Sequence, residues 1–250
     1  MTVTAILSAL AEEQHGLLAQ LVNPEKVSCA GRNFWQGELN GHRVVLGLSR
    51  IGKVAAATTA TALITSLGVN QIVFTGVAGG IGPGVRVGDV VVATEFVQHD
   101  LDASPLFPRY EVPLYGKTCF ACDAALTAKL FAAAHTALAA IVDRAGEKRG
   151  PVTAQVRSGL IASGDRFVSS ASESHNLDQA LRGAGLQVLA VEMEGAAVAQ
   201  VCFDFGVPFA AMRTISDRAD DQAHVDFPKF IAEVASGYAL AIVGNLFQSL

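Results

Sequence analysis

The chain has 250 residues, of which 51% are hydrophobic and 16% are charged, and its net charge is −5. This composition supplies a large apolar core, and the absence of a basic block disfavours a nucleic-acid surface. No run reaches the roughly 18–20 uninterrupted apolar residues of a membrane span, and the first residues lack the basic start of a signal peptide. We therefore expect a single cytoplasmic domain over residues 1–250, because α/β folds reach this size undivided.

Short apolar runs alternate with helical patterns along the chain. The sequence predicts strands at 3–8, 44–49, 71–76, 89–97, 154–163, 186–191 and 208–216. It predicts helices at 12–22, 53–67, 123–142 and 227–247, further helices between the later strands, and an irregular excursion at 98–122. Buried strands that alternate with helices are typical of parallel pairing. The predicted fold is α/β, with a mostly parallel, mixed central sheet flanked by helices.

Acidic and hydroxyl side chains follow nearly every predicted strand at its carboxyl end. These residues are Glu12, Glu13, Ser49, Thr75, Ser163, Asp165, Glu192, Glu194, Ser216 and Asp217. Ligands of open α/β sheets bind at this edge. A site that is rich in acids and poor in basic residues suits a polyhydroxylated, nitrogen-rich substrate better than an anion.

Two carboxylates, Glu192 and Glu194, stand in the otherwise apolar segment VEMEGAAVAQ at 191–200. In an extended strand end, positions two apart share a face. No lysine or arginine close in the sequence neutralises them. Because buried charge is unfavourable unless it is paired or occupied, this segment is the strongest single indication of a binding site.

Other signals are weak when taken singly. The glycine-rich turn GVAGGIGPG at 76–84 contains neither a phosphate-loop lysine nor the dinucleotide pattern, so it is compatible with an ordinary tight turn. Glu13 could complement a helix dipole, and Asp217 could cap a helix. Cys119 and Cys122 form a lone C-x-x-C without further ligands, and we interpret them as ordinary thiols rather than a metal site.

Five motifs occur in one order: SRIGKVAAA (49–57), TGVAGG (75–80), SGDRFV (163–168), VEMEGAAVA (191–199) and RTISDRADDQ (213–222). In this combination the chain resembles the nucleoside phosphorylase/nucleosidase superfamily. Within it, the chain most resembles the 5′-methylthioadenosine/S-adenosylhomocysteine nucleosidases. The resemblance runs from about residue 3 to the C-terminal helix and is weakest over 103–153.

The resemblance implies separate roles for the acids. Asp217 matches the general acid that protonates N7 of the purine, with Ser216 orienting its carboxyl. Glu13 matches the carboxylate that stabilises the positively charged sugar and activates water. Glu194 matches the residue that accepts hydrogen bonds from the ribose 2′- and 3′-hydroxyls, and we expect Glu192 to support it.

The resemblance also implies the remaining substrate contacts. Met193 would pack on the sugar, Phe167 would stack on the purine, and Val168 would offer backbone groups to the base edge. Gly79 lies where the backbone must approach the ligand closely. An apolar pocket for the 5′ group is matched by Leu10, Ile51 and Phe227. No cofactor and no metal are implied.

Hydrolysis and phosphorolysis both remain open on the sequence. Phosphorylases of this superfamily carry an arginine before the glycine-rich turn, and Phe74 stands near that point, which favours hydrolysis. Val77 replaces the serine that is common in nucleosidases, and Arg50 replaces a glycine. Arg50 could bind phosphate, pair with an acid such as Glu13, or face solvent. A nucleoside-binding protein without activity is a further alternative, ranked below both enzymes because Glu13 and Asp217 are both present.

A partner subunit is also implied by the resemblance. In the family, a neighbouring subunit completes the 5′ pocket with residues that follow a His-Asp pair, which is His99–Asp100 in this chain. Leu106 or Phe107 is then the expected contributor, although Phe107 could equally anchor its own loop. We therefore expect a homodimer that binds a small nucleoside, with no nucleic-acid or membrane partner.

Overall fold

The computed structural model describes residues 2–145, 154–223, 227 and 230–250. In these ranges, eleven strands form one sheet. They are β1 (Val3–Ser8), β2 (Val22–Cys29), β3 (Arg32–Leu39), β4 (His42–Leu48), β5 (Gln71–Phe74), β6 (Val77–Gly80), β7 (Val90–Gln98), β8 (Cys119–Ala121), β9 (Val156–Ser163), β10 (Val188–Glu192) and β11 (Phe209–Asp217). The described helices are α1 (Lys53–Leu67), α2 (Ala124–Ala145), α3 (Ala171–Gly183), α4 (Gly195–Phe205) and α5 (Ser236–Ser249), the last preceded by a π-helical turn at Ile231–Ala235.

The strand order is β2-β3-β4-β1-β5-β11-β6-β10-β9-β7-β8. Parallel pairs join β4, β1, β5, β11 and β6 in succession, and also β10, β9 and β7. The long strand β11 also pairs antiparallel with β7, so that β11, β6, β10, β9 and β7 close into a ring. The predicted mixed sheet flanked by helices is confirmed.

Alternation along the central strand β1 divides the core into two layers. Ala5 and Leu7 face the side covered by α1 and α4, whereas Ile6 faces the side covered by α2 and α5. Successive residues of a strand point to opposite faces, so a fully apolar strand is what a sheet covered on both sides requires. The continuous apolar runs of the sequence therefore have a direct structural cause.

Helix α2 is long and apolar enough to cross a membrane, by length and composition only, over Ala124–Ile141. In this fold it lies against β7, β11 and α5. Its buried residues include Leu126, Leu130, Ala133 and Ala137, spaced three or four apart. That spacing is typical of a helix that packs one apolar stripe against a sheet.

The predicted helix at 12–22 is wrong. Two short 3₁₀ turns, Glu12–Gln14 and Leu18–Gln20, occupy this segment, and Gly16 between them has a φ of +89° that a helix does not continue. The chain then enters the β2–β3–β4 antiparallel meander, of which the sequence indicated only the last strand.

Two further segments also differ from the sequence prediction. The glycine-rich segment contains the short strand β6, and the irregular excursion contains β8. Of the predicted helix 227–247, residues 228–229 lie outside the described residues, and the part from Ile231 is helical.

Candidate active site

A pocket of ≈330 Å³ opens at the carboxyl ends of β1, β10 and β11. It brings together nine of the residues that the sequence predicted at the site: Leu10, Glu13, Ile51, Gly79, Phe167, Met193, Glu194, Asp217 and Phe227. Since parallel strands deliver their carboxyl ends to one edge, residues more than 200 positions apart meet here. Four carboxylates line the cavity, those of Glu13, Glu192, Glu194 and Asp217.

Glu13 lies in the 3₁₀ turn that follows β1 and is buried. Its Oε2 accepts hydrogen bonds from the backbone N–H groups of Ala9 and Leu10, at 2.7 and 2.9 Å, and its Oε1 accepts one from Val77 N–H at 3.1 Å. Burial raises the pKa of Glu13, although the Leu10 N–H and the charge of Arg213 act in the opposite direction. The carboxyl is therefore fixed in orientation and a stronger base than an exposed glutamate.

Glu194 occupies the position before α4 and is buried. Its Oε1 accepts a hydrogen bond of 2.9 Å from Gly52 N–H, at the start of α1. Burial, together with the neighbouring charge of Glu192, raises the pKa of Glu194 to about 8. A ligand that donates hydroxyl hydrogen bonds would favour the ionised form, so this carboxyl is suited to a diol.

Asp217 ends β11, and a shift in register before it turns its side chain toward the pocket. The Ser216 hydroxyl donates to Asp217 Oδ2 at 2.8 Å, and Ala219 N–H donates to Oδ1 at 2.8 Å. A Cβ at Gly79 would lie 2.9 Å from the Ala219 Cβ and 3.0 Å from Asp217 Oδ1. Glycine is therefore required for Asp217 to approach the floor of the pocket.

Glu192 forms a buried ion pair with Arg213, a residue that was not predicted from the sequence. Arg213 Nη2 donates to Glu192 Oε2 at 2.7 Å, and the two side chains are 2% and 3% exposed. Gly195 N–H donates to the same oxygen at 2.8 Å, and the Ser163 hydroxyl donates to Oε1. The Arg213 guanidinium also lies 4.1 Å from the centre of the Phe74 ring.

No basic residue close in the sequence neutralises the two glutamates, but Glu192 is neutralised by an arginine that is distant in the sequence. Arg213 lies 21 positions away in sequence, on β11, and reaches Glu192 at the end of β10. An arginine in the middle of the apolar strand PFAAMRTIS was the available signal. A charged side chain in a strand that is buried on both faces needs a partner of opposite charge. Arg213 could therefore have been paired with one of the buried acids from the sequence.

The remaining wall of the pocket is apolar. The rings of Phe167 and Phe227 lie 5.5 Å apart at 68°, an edge-to-face arrangement at the rim. Leu10 and Ile51 also line the pocket, as does Met193, which stands between Glu192 and Glu194 in the sequence. The cavity thus combines four acids with apolar side chains, of which Ile51 and Phe167 are exposed to solvent.

The profile of the phosphorylase superfamily matches residues 4–248. The chain belongs to the phosphorylase superfamily. Among solved structures, the 5′-methylthioadenosine/S-adenosylhomocysteine nucleosidase from Neisseria meningitidis, in complex with methylthio-immucillin-A, is 35% identical with a TM-score of 0.85, and the match covers 100% of both chains. The resemblance inferred from the sequence motifs is confirmed.

Two further solved structures are similar to this chain. The S-adenosylhomocysteine nucleosidase from Streptococcus pyogenes, in complex with 5-methylthiotubericidin, is 31% identical with a TM-score of 0.85, and the match covers 100% of this chain and 97% of that one. Futalosine hydrolase from Helicobacter pylori is 31% identical with a TM-score of 0.85, and the match covers 100% of this chain and 98% of that one.

Three of the residues predicted from the superfamily resemblance do not line the ≈330 Å³ pocket. Ser216 is buried beneath it and reaches it through Asp217. Val168 is buried and lines an adjoining cleft of ≈20 Å³ that shares Phe167 and Gly79 with the pocket. Phe107 is half-buried in the irregular excursion of its own chain and does not reach this chain's pocket.

The Arg50 side chain does not line the pocket that contains the acids. Its Nη2 donates to the Gly31 carbonyl at 2.7 Å, at the exposed turn between β2 and β3. Among the described ion pairs, none joins Arg50 to Glu13. Of the three alternatives for Arg50, the geometry favours the solvent-facing one. Val77, by contrast, lines the pocket and meets Glu13 through its backbone N–H.

Proposed function

We propose that the protein is a nucleosidase that hydrolyses the N-glycosidic bond of 5′-substituted adenosines, such as 5′-methylthioadenosine and S-adenosylhomocysteine. One observation carries this proposal: four buried carboxylates line a single ≈330 Å³ pocket whose remaining side chains are apolar. The acids suit the purine and the ribose, and the apolar side chains of the lining suit an alkylthio group. The family membership and the nucleosidases among its structural relatives support the same substrate class.

The substrate lies across the pocket with its ribose at Glu194. This carboxylate accepts hydrogen bonds from the 2′- and 3′-hydroxyls, which offset its unfavourable burial. Met193 packs on the sugar, and Phe167 stacks on the purine at the rim. The backbone at Val168 meets the base edge through the adjoining cleft.

Asp217 and Glu13 carry the proton transfers. Asp217, oriented by Ser216, donates a proton to N7, and the C1′–N9 bond breaks with its electron pair leaving on adenine. The sugar becomes positively charged at C1′, as in other glycosyl hydrolyses. Water then adds its oxygen to C1′ and gives up a proton to Glu13, whose raised pKa suits a base.

Hydrolysis is favoured over phosphorolysis by the charges around the pocket. No described residue of the pocket lining is a lysine or an arginine. Arg50 bonds to Gly31 at the surface, and Arg213 is engaged by Glu192. A phosphate dianion would therefore meet four carboxylates and no cation among the described residues that line the pocket, whereas water needs no cationic cradle.

The product assay tests this proposal. We expect the protein to release adenine and a free thioribose from 5′-methylthioadenosine in phosphate-free buffer, at a rate that added phosphate does not raise. Chromatography of both products, with and without phosphate, is the measurement. Arg50→Ala serves as a control and should keep the rate. Stoichiometric sugar 1-phosphate would show a phosphorylase, and no adenine under either condition would favour a binding protein.

We also propose that the protein is a homodimer in which Phe107 of the partner subunit completes the 5′ pocket. Exposed apolar side chains support this arrangement; they are Ile51, Val54, Leu114, Tyr115, Phe203 and Phe205, which we call the α1–α4 face. Val54 is 79% and Leu114 is 92% exposed. Helices α1 and α4 pack together, and Tyr115 contacts Phe203. Exposed apolar side chains on neighbouring elements are typical of an interaction surface, and Ile51 of this face also lines the pocket.

Charged substitutions on the α1–α4 face test the homodimer. We expect Val54→Glu combined with Leu114→Glu to give a monomer in sedimentation, because two charges would be buried at the interface. The efficiency on 5′-methylthioadenosine should then fall more than that on adenosine, since the 5′ pocket is left incomplete. Val87→Glu, at an exposed position outside this face, is the matched control. A fully active monomer would contradict the proposal.

We place the protein in the cytoplasm. Its four cysteines are free thiols, and burial raises the pKa of Cys119 and of Cys122 to about 12. Unpaired cysteines are typical of a reducing compartment.

A further inference from the structure

Three charged residues outside the pocket form a closed set of hydrogen bonds at the start of α1. Lys53 N–H donates to Asp165 Oδ1 at 2.7 Å, and Asp165 N–H donates to Asp100 Oδ2 at 2.8 Å. Lys53 Nζ returns to Asp100 Oδ1 at 2.5 Å. Each of the three residues therefore bonds to both of the others, and we call this set the latch.

We propose that the latch holds Glu194 and Phe167 in the geometry that binds the nucleoside, so that Lys53, Asp100 and Asp165 are positioning residues for substrate binding. This inference rests on the proposed function. None of the three residues lines the ≈330 Å³ pocket, so each acts through a neighbour.

The connection to Glu194 runs through the first amides of α1. Gly52 N–H donates to Glu194 Oε1 at 2.9 Å, and the next amide, Lys53 N–H, donates to Asp165. Gly52 precedes the helix and has no side chain with which to cap it. Asp165 therefore supplies the cap from a distant part of the chain. The bond from Asp165 fixes the peptide group between Gly52 and Lys53. The adjacent Gly52 N–H is thereby kept directed toward the Glu194 carboxylate.

The connection to Phe167 runs along the loop that follows β9. Asp165 stands two residues before Phe167, in a segment without regular secondary structure. Its backbone N–H and its side chain are both held by the latch, which anchors the loop to α1. The same two bonds therefore tie the aromatic ring at the rim to the helix that bonds Glu194.

The latch also reaches the segment that we assign to the partner subunit's pocket. Asp100 follows β7 and begins the irregular excursion that contains Phe107. Burial raises the pKa of Asp100, but the hydrogen bonds from Lys53 and from Asp165 N–H outweigh it and hold the pKa below its ordinary value. Lys53 Nζ also donates to Gln98 Oε1 at 3.1 Å. Asp100 therefore accepts from both other members as a carboxylate at neutral pH.

Substitutions at Asp165 separate positioning from general stability. Asp165→Ala removes the cap, and we expect it to raise KM for 5′-methylthioadenosine about tenfold, with kcat changed much less, because Asp217 and Glu13 lie outside the latch. Asp165→Asn keeps an oxygen that can accept from Lys53 N–H, so it should restore most of the lost affinity. Steady-state kinetics with a thermal melt of each variant is the measurement.

Lys53 provides a second, independent pair of variants. Lys53→Met should raise KM, and Lys53→Arg, which can still donate to Asp100, should stay closer to the unmodified protein. Asp178→Ala is the matched control, because it breaks an ion pair with Arg182 of 2.7 Å that is not part of the latch. Partly exposed ion pairs on a helix surface contribute little to stability, and this one lies outside the latch, so the KM of Asp178→Ala should not change.

The outcomes distinguish this inference from the proposed function. If the unmodified protein releases adenine but Asp165→Ala keeps its KM, the latch inference is wrong and the function stands. A raised KM that Asp165→Asn does not restore, or an equal loss in kcat, would also contradict positioning. If the unmodified protein releases no adenine, the proposed function itself fails.

Discussion

Asp217→Asn is expected to lower kcat for adenine release by roughly 10²–10⁴-fold, the usual contribution of one positioned acid. Asparagine keeps the shape of the side chain, and its oxygen can still accept from Ala219 N–H, as Asp217 Oδ1 does at 2.8 Å. It cannot donate the proton that N7 requires before adenine leaves. The loss should therefore appear in turnover, whereas a nucleoside inhibitor should still bind.

Glu194→Gln is the comparison that separates chemistry from binding. Glu194 faces the same pocket, but we assign it to the ribose hydroxyls, so its amide variant should chiefly raise KM. Single-turnover kinetics and inhibitor titrations on both variants measure the difference. Near-normal turnover by Asp217→Asn would remove the general-acid assignment, and a pure kcat effect in Glu194→Gln would remove the ribose assignment.

Arg213→Met is expected to lower the free energy of unfolding by about 3–5 kcal/mol, the cost of leaving one member of a buried ion pair without its partner. Methionine has a similar length but cannot donate to Glu192 Oε2, which the guanidinium approaches at 2.7 Å. The carbonyls of Phe74 and Met212 lose donors as well, at 3.3 and 3.1 Å. The stacking of the guanidinium on the Phe74 ring is also lost.

The double variant Arg213→Met/Glu192→Gln is the control for this second prediction. Removing the uncompensated charge should recover a large part of the lost stability, because most of the cost is attributed to the buried carboxylate. Urea unfolding of the four proteins in the cycle measures the coupling. Additive losses from the two single substitutions would show that the pair is not coupled.

Apolar patterning and the order of the motifs predict the class of fold and the acids at one edge of its sheet. Continuous apolar runs such as 3–8 and 71–76 predict strands covered on both faces, because a strand exposed on one side would alternate. In the sequence, polar residues follow these strands directly. The helices between the strands predict parallel pairing. Glu13, Glu194 and Asp217 could therefore be assigned to one edge without coordinates, and the pocket contains all three.

Features that depend on partners distant in sequence could be seen only in the folded chain. The segment 12–22 has a helical pattern, but the strand that begins at Val22 pairs with β3, and pairing of this kind overrides local propensity. The direction of the Arg50 side chain depended on the Gly31 carbonyl of another turn. The hydrophobic periodicity of a segment does not show which distant strand or carbonyl group it will contact.

The ion pair of Glu192 with Arg213 and the latch both join residues that are distant in sequence. Arg213 meets Glu192 across 21 positions, and Lys53 meets Asp165 across 112. A charged group becomes stabilising or costly according to what lies within a few ångströms of it in the fold. The sequence specifies which charges are present, and only the packed sheet and its helices decide which of them neutralise each other and which remain to act on a substrate.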